Sequence, residues 1–175
     1  MKKLILALFL GILMTATASA AGIGFGAYGG MSIPIVQEDQ GNGTVFGVKA
    51  KFKMIGGISV EPNINFMKYG EADFGFGARD GSKVSYYGLD LLLGGMGMPV
   101  GPRFYIIGGA ALYSVTRDND EDASDFGLNG GLGIEIGFGG PLALDIRGKG
   151  HVIIFEGASK KFATITGGLN YYFGM

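Results

Sequence analysis

Val48-Lys49-Ala50-Lys51-Phe52-Lys53-Met54 alternates apolar and cationic residues without a break. Successive side chains of a β-strand point to opposite faces, so this run sets three lysines on one face and Val48, Ala50, Phe52 and Met54 on the other. The alternation resumes just downstream with acid in place of base. Ile58, Val60, Pro62, Ile64 and Phe66 share one face, and Ser59, Glu61, Asn63 and Asn65 share the other. A three-residue turn at 55–57 brings Met54 opposite Ile58, and counting outward by twos places Lys51 opposite Glu61. The expectation is an ion pair across two antiparallel strands.

The same period runs through the rest of the chain. It predicts eight strands, at about 22–32, 44–54, 58–68, 83–93, 103–115, 126–138, 142–154 and 162–173. Each is near the roughly 9 to 11 residues that a tilted strand needs to cross a bilayer. In the sixth, Phe126, Leu128, Leu132, Ile134 and Ile136 oppose Asn129, Glu135 and several glycines. In the seventh, Leu144, Ile146 and Val152 oppose Asp145, Arg147, Lys149 and His151. The eighth sets Ile165, Leu169, Tyr171 and Phe173 against Thr164, Thr166 and Asn170. The fifth is apolar on both parities, which leaves its register open.

Connections alternate in length. Residues 55–57, 94–102 and 139–141 are Gly/Pro-rich turns, whereas 33–43, 69–82, 116–125 and 155–161 are longer and mostly polar. In membrane barrels short turns face the periplasm and long loops the exterior. Aromatic residues gather near the strand ends: Phe66, Tyr69, Tyr86, Tyr87, Tyr113, Phe126 and Phe155 above, and Phe104, Tyr105, Phe138, Tyr171 and Phe173 below. They predict two interfacial girdles. A soluble barrel also alternates, but these girdles, the all-apolar faces, and polar faces of glycine, asparagine and paired charge favour a bilayer. The fold class expected is all-β: an eight-stranded antiparallel up-and-down transmembrane β-barrel with a polar, filled lumen.

Composition agrees with an exported chain of this class. Lys2 and Lys3, an apolar run from Leu4 to Met14, and Ala18-Ser19-Ala20 form a cleavable signal over 1–20, leaving 21–175 as one barrel domain. Losing the two lysines takes the formal charge from −1 to −3, so no basic patch points to nucleic acid. There is no cysteine for disulfides, metal or lipid, and 35 glycines disfavour long helices.

The whole mature chain, with its closing alternation Leu169, Tyr171, Phe173, resembles the small eight-stranded outer-membrane barrels such as outer-membrane protein X and the membrane domain of outer-membrane protein A. Gly174 and Met175 follow the phenylalanine that usually ends such chains. The resemblance implies a bacterial outer-membrane location and a structural, adhesive or surface-defence role. It also implies a monomer among outer-membrane lipid and lipopolysaccharide, with an extracellular protein as a candidate partner.

Several motifs have a competing chemical reading. Gly24-Phe25-Gly26-Ala27-Tyr28-Gly29 matches a dinucleotide-binding pattern, but it leads to Ser32-Ile33-Pro34 rather than into a helix. Its glycines read as small inward residues. Asn42-Gly43-Thr44 is a glycosylation sequon without meaning in a bacterial envelope. His151 is the only histidine; lipid A deacylases of similar size use histidine, serine and glutamate, but no nucleophile stands beside it on its face of the strand, so it reads as a structural lumen residue. Asp118, Asp120, Asp122 and Asp125 crowd one loop, yet Ala123 and Asn129 stand where a calcium loop needs glycine and glutamate. A solvated acidic loop is the reading there, with a weak divalent-ion site bridging to anionic lipid headgroups as the alternative.

The lumen charges are the most specific site prediction. Lys49, Lys51, Lys53, Arg147 and Lys149 should meet Glu61, Asp90, Glu135 and Asp145 in a space that closes to all but small solutes. Phe74 and Phe76, alternating with glycines ahead of the Asp80-Gly81 turn signal, mark a candidate partner-binding ribbon above the membrane. No catalytic residue, metal ligand or cofactor site is expected. The functional expectation is a non-catalytic structural or surface-interaction protein, with a narrow channel and then a lipid A-modifying enzyme as alternatives.

Overall fold

In the computed structural model, residues 22–35, 41–54, 56–70, 83–94, 100–117, 120–155 and 158–173 are described. They form eight strands: β1 (Gly22–Pro34), β2 (Gly41–Lys53), β3 (Ile58–Gly70), β4 (Lys83–Gly94), β5 (Val100–Arg117), β6 (Asp120–Phe138), β7 (Leu142–Phe155) and β8 (Ala158–Phe173). Each pairs antiparallel with its sequence neighbours, and β1 pairs with β8, closing the barrel. Residues 1–20, expected from the sequence to be a cleaved signal, lie outside the described residues.

Alternation sets the direction of every wall. Leu132, Ile106, Phe126, Leu128, Phe66 and Ile165 point outward and are exposed, while Glu61, Asn65, Asp90 and Asp145 point inward and are fully buried. That is the reverse of a soluble domain, so the inner polar groups find their partners chiefly in one another. Phe52 is an exception, buried although its parity is outward.

The second hairpin shows how local chemistry fixes register. Gly56 and Gly57 take positive φ of 84° and 75°, and the Met54 amide donates to the Ile58 carbonyl at 2.8 Å. Outward from this turn, Phe52 pairs with Val60 and Lys49 with Asn63, so Lys51 and Glu61 share a row.

β5 resolves cleanly, because Phe104 and Ile106 face out while Arg103, Tyr105 and Ile107 face in. This corrects part of the expected girdles. Tyr86, Tyr105 and Tyr113 are buried in the lumen, since a position near a strand end does not reveal which face a ring occupies. Phe66, Tyr87, Phe126, Phe104, Phe138, Tyr171 and Phe173 do stand outward and exposed. The side chains of Tyr69 and Phe155 lie outside the described set.

β5 and β6 exceed their expected lengths, at 18 and 19 residues. Pairing continues past Tyr113 and Asp125 through Val115 and Ala123 to Arg117 and Asp120. Asp120, Asp122 and Asp125 are therefore strand residues, not an acidic loop: backbone pairing carries on where hydropathy stops signalling it. Asp118, Phe74 and Phe76 lie outside the described residues.

Candidate functional site: the ion-pair network of the lumen

The inward residues of a closed eight-stranded barrel face one another across a space only side chains can fill. Here β2 supplies lysines, and β3, β4, β6 and β7 supply acids. Arg147 on β7 donates to both carboxylate oxygens of Glu61 on β3, at 2.5 and 3.2 Å. Its guanidinium also reaches Asp145 at 2.5 Å. Lys49 donates to Asp145 at 2.5 Å and lies 4.0 Å from Glu61. Lys149 donates to Asp90 at 2.7 Å.

Lys51 does share a row with Glu61, but its nearer partner is Glu135 on β6, at 2.8 Å against 3.8 Å. The ammonium reaches across the barrel because Glu61 is already held by Arg147. Lys53 is placed differently from its expected ion pair: it lies over the ring of Tyr172, 3.5 Å from the centroid, near the turn end of the barrel. Arg103, absent from the sequence-based set, donates to Glu135 at 2.7 Å. Its only signal was shared parity with Tyr105 and Ile107, hidden by a strand apolar on both faces.

Neutral groups extend the coordination, while Asp90 Oδ1, Arg103 Nε and Asn170 Oδ1 are buried without a hydrogen-bond partner among the described residues. Asp145 also accepts from the Tyr105 hydroxyl and from Asn170, and Glu135 from Asn170 and the Tyr172 hydroxyl. Tyr28 donates to Asn65, Asn65 to Asn63, and Asn63 to Asp90, a chain running from β1 to β4. Such satisfaction is what makes buried ions tolerable, because an unpaired one would cost several kcal/mol, on the order of a whole stabilising contact or more.

Toward the outer end the filling becomes apolar. Val45, Met67, Val84, Tyr86, Ala111, Tyr113, Ile153 and Phe162 form one buried cluster. His151 stacks on Phe162, centroids 4.5 Å apart and planes 4° apart. Its Nδ1 shares a hydrogen bond with the Tyr113 hydroxyl at 2.8 Å, and its Nε2 with Thr164 at 3.1 Å. A hydroxyl does stand beside the histidine, from β8, but Thr164 is buried and the other ring nitrogen meets a phenol, not a carboxylate. Among the described residues no cluster of His, Cys, Asp or Glu is arranged to hold a metal ion.

The inward glycines of β1 have a steric role. A Cβ on Gly26 would run into Asn170 and come within 2.9 Å of Lys49 Cε, and one on Gly24 would meet the Tyr172 ring at 2.6 Å. Gly29, by contrast, faces outward by parity. A groove of about 630 Å³ lies on the outer wall, between Phe25 and Tyr171 on one side and Ile64 and Tyr87 on the other. It is no chamber in the lumen.

Residues 4–173 match the family described as outer membrane protein beta-barrel domain. Among solved structures, Neisserial surface protein A superposes with a TM-score of 0.71 at 13% identity, covering 87% of this chain and 98% of that one. The N-terminal β-barrel domain of Pseudomonas aeruginosa OprF gives 0.61 at 16% identity, covering 88% and 98%. Ail of Yersinia pestis, in a phospholipid bilayer nanodisc, gives 0.54 at 14% identity, covering 87% and 99%. No curated protein sequence matches the chain.

Proposed function

Because the chain belongs to the outer membrane protein beta-barrel domain family and is an outer-membrane barrel, we propose that it works at the cell surface as a structural or interaction protein of the adhesion or defence type, without catalysis. The observation that carries this reading is the filled lumen. Four carboxylates and five paired cations occupy its middle, and an aromatic cluster occupies its outer half. Among the described residues a lumen so filled leaves no chamber for a substrate, and what the barrel offers an extracellular protein is its rim.

The rim supports the reading in a second way. The last β6–β7 pair is Phe126 with Ile154, whereas β5 and β6 stay paired out to Arg117 and Asp120. Among the described residues the outer part of β6 thus has no β7 partner along its backbone edge, a template for strand addition. Ail, one of the neighbours on this fold, is named an attachment invasion locus protein, which is a precedent for the class of role.

The test combines planar bilayers with cell binding. The purified protein should give no long-lived porin-sized conductance, and cells displaying it should adhere better than cells that do not. Porin-sized steps would overturn the closed lumen in favour of a channel. Release of acyl chains from lipopolysaccharide by the pure protein would overturn the absence of catalysis.

A further inference from the structure

Lys68 on β3 and Lys83 on β4 are register partners, with both side chains outward and exposed. Like charges placed directly opposite on one face of a sheet repel. Neither lysine makes an ion pair among the described residues. On the other side of Lys68 its register partner is Thr44 on β2, also exposed. One row across three adjacent strands therefore carries a hydroxyl and two ammonium groups, on a wall where Phe46, Ile64, Phe66 and Tyr87 are exposed just below.

The height of this row is informative. Between Ile58, at the short turn, and Lys68, β3 climbs about 25 Å for a strand rise of about 3.3 Å and a tilt of about 40°. That is about the height of the apolar band of an outer-membrane barrel, so the lysines sit where acyl chains give way to headgroups. The connection beyond them is the long one, on the extracellular side.

We infer that Lys68, Lys83 and Thr44 form a binding site on the outer wall for a phosphate group of lipopolysaccharide in the outer leaflet. A phosphomonoester seated between the two ammonium groups turns their repulsion into two charge-assisted hydrogen bonds, and the Thr44 hydroxyl supplies a third donor. The exposed Phe66 and Tyr87 below lie against the acyl chains of the same lipid.

The experiment is native mass spectrometry of the detergent-solubilised barrel with three probes: bisphosphorylated lipid A, dephosphorylated lipid A and inorganic phosphate. The expected result is binding of bisphosphorylated lipid A at least tenfold tighter than the dephosphorylated form, with Lys68→Gln and Lys83→Gln each weakening it severalfold and the double variant abolishing the preference. Lys161→Gln removes an exposed lysine of β8 whose row neighbour is Val152, and should change nothing. Folding of each variant is read from its heat-modifiable band. As a second measurement, lipid A should raise the unfolding midpoint of the wild type but not of the double variant, which in lipid-free detergent should be at least as stable as the wild type. Unchanged lipid A preference in a folded double variant would overturn the site. Displacement of lipid A by millimolar inorganic phosphate would overturn the lipid as its occupant.

Discussion

Arg147 and Glu61 clasp each other straight across the barrel, from β7 to β3, four strands apart in a ring of eight. Removing one partner strands a buried charge. Arg147→Met should lower stability by about 3–5 kcal/mol, whereas Glu61→Leu with Arg147→Met should recover most of that loss. Urea titration in detergent micelles reads both. A double variant no more stable than the single would mean that the rest of the network depends on this pair.

Inward and outward glycines should respond oppositely to the same added methyl. Gly26→Ala presses on Asn170, which is tied to Glu135 and Asp145, and should destabilise by about 1–3 kcal/mol. Gly167→Ala points into open space and should be neutral or stabilise by up to about 1 kcal/mol. Equal effects in the same titration would contradict the assigned faces.

Leu132 is 66% exposed midway along the outward face of β6. In lipid, Leu132→Arg should cost about 2–4 kcal/mol. A surface substitution on a soluble domain stays within about 0.5 kcal/mol, so unfolding measured in phospholipid vesicles separates the two cases sharply.

His151→Ala removes the stack on Phe162 and leaves Tyr113 and Thr164 without their ring-nitrogen partner. A loss of about 2–4 kcal/mol is expected. Adhesion by cells carrying the folded variant should be unchanged. A selective loss of adhesion at full stability would give His151 a role other than packing.

Deleting residues 72–80, with Phe74 and Phe76, should leave a heat-modifiable barrel and abolish surface adhesion. Unchanged binding by the folded deletion would rule this ribbon out as the contact.

Faces were legible in the sequence because a period of two needs no knowledge of neighbours, and the row holding Lys51 and Glu61 was legible because a short turn counts it out. The partners were not. Lys51 bonds to Glu135 and Lys49 to Asp145 over sequence separations of 84 and 96 residues, and which cation reaches which acid depends on closure and side-chain length. Arg103, Tyr105 and Tyr113 were missed or misdirected for a different reason. Their strand is greasy on both faces, so its parity carries no contrast.

The four shortest bridges between opposite walls, Lys49 to Asp145, Lys51 to Glu135, Arg147 to Glu61 and Lys149 to Asp90, tie β2–β4 to β6–β7. A nascent chain inserted only as far as β4 would hold its acids and bases with none of these answering groups. Half a barrel is thus electrostatically incomplete, left with only the longer contacts of Lys49 and Lys51 to Glu61 at 4.0 and 3.8 Å. These four contacts are all long-range in sequence, so their contribution belongs to the closed ring and to neither half of it.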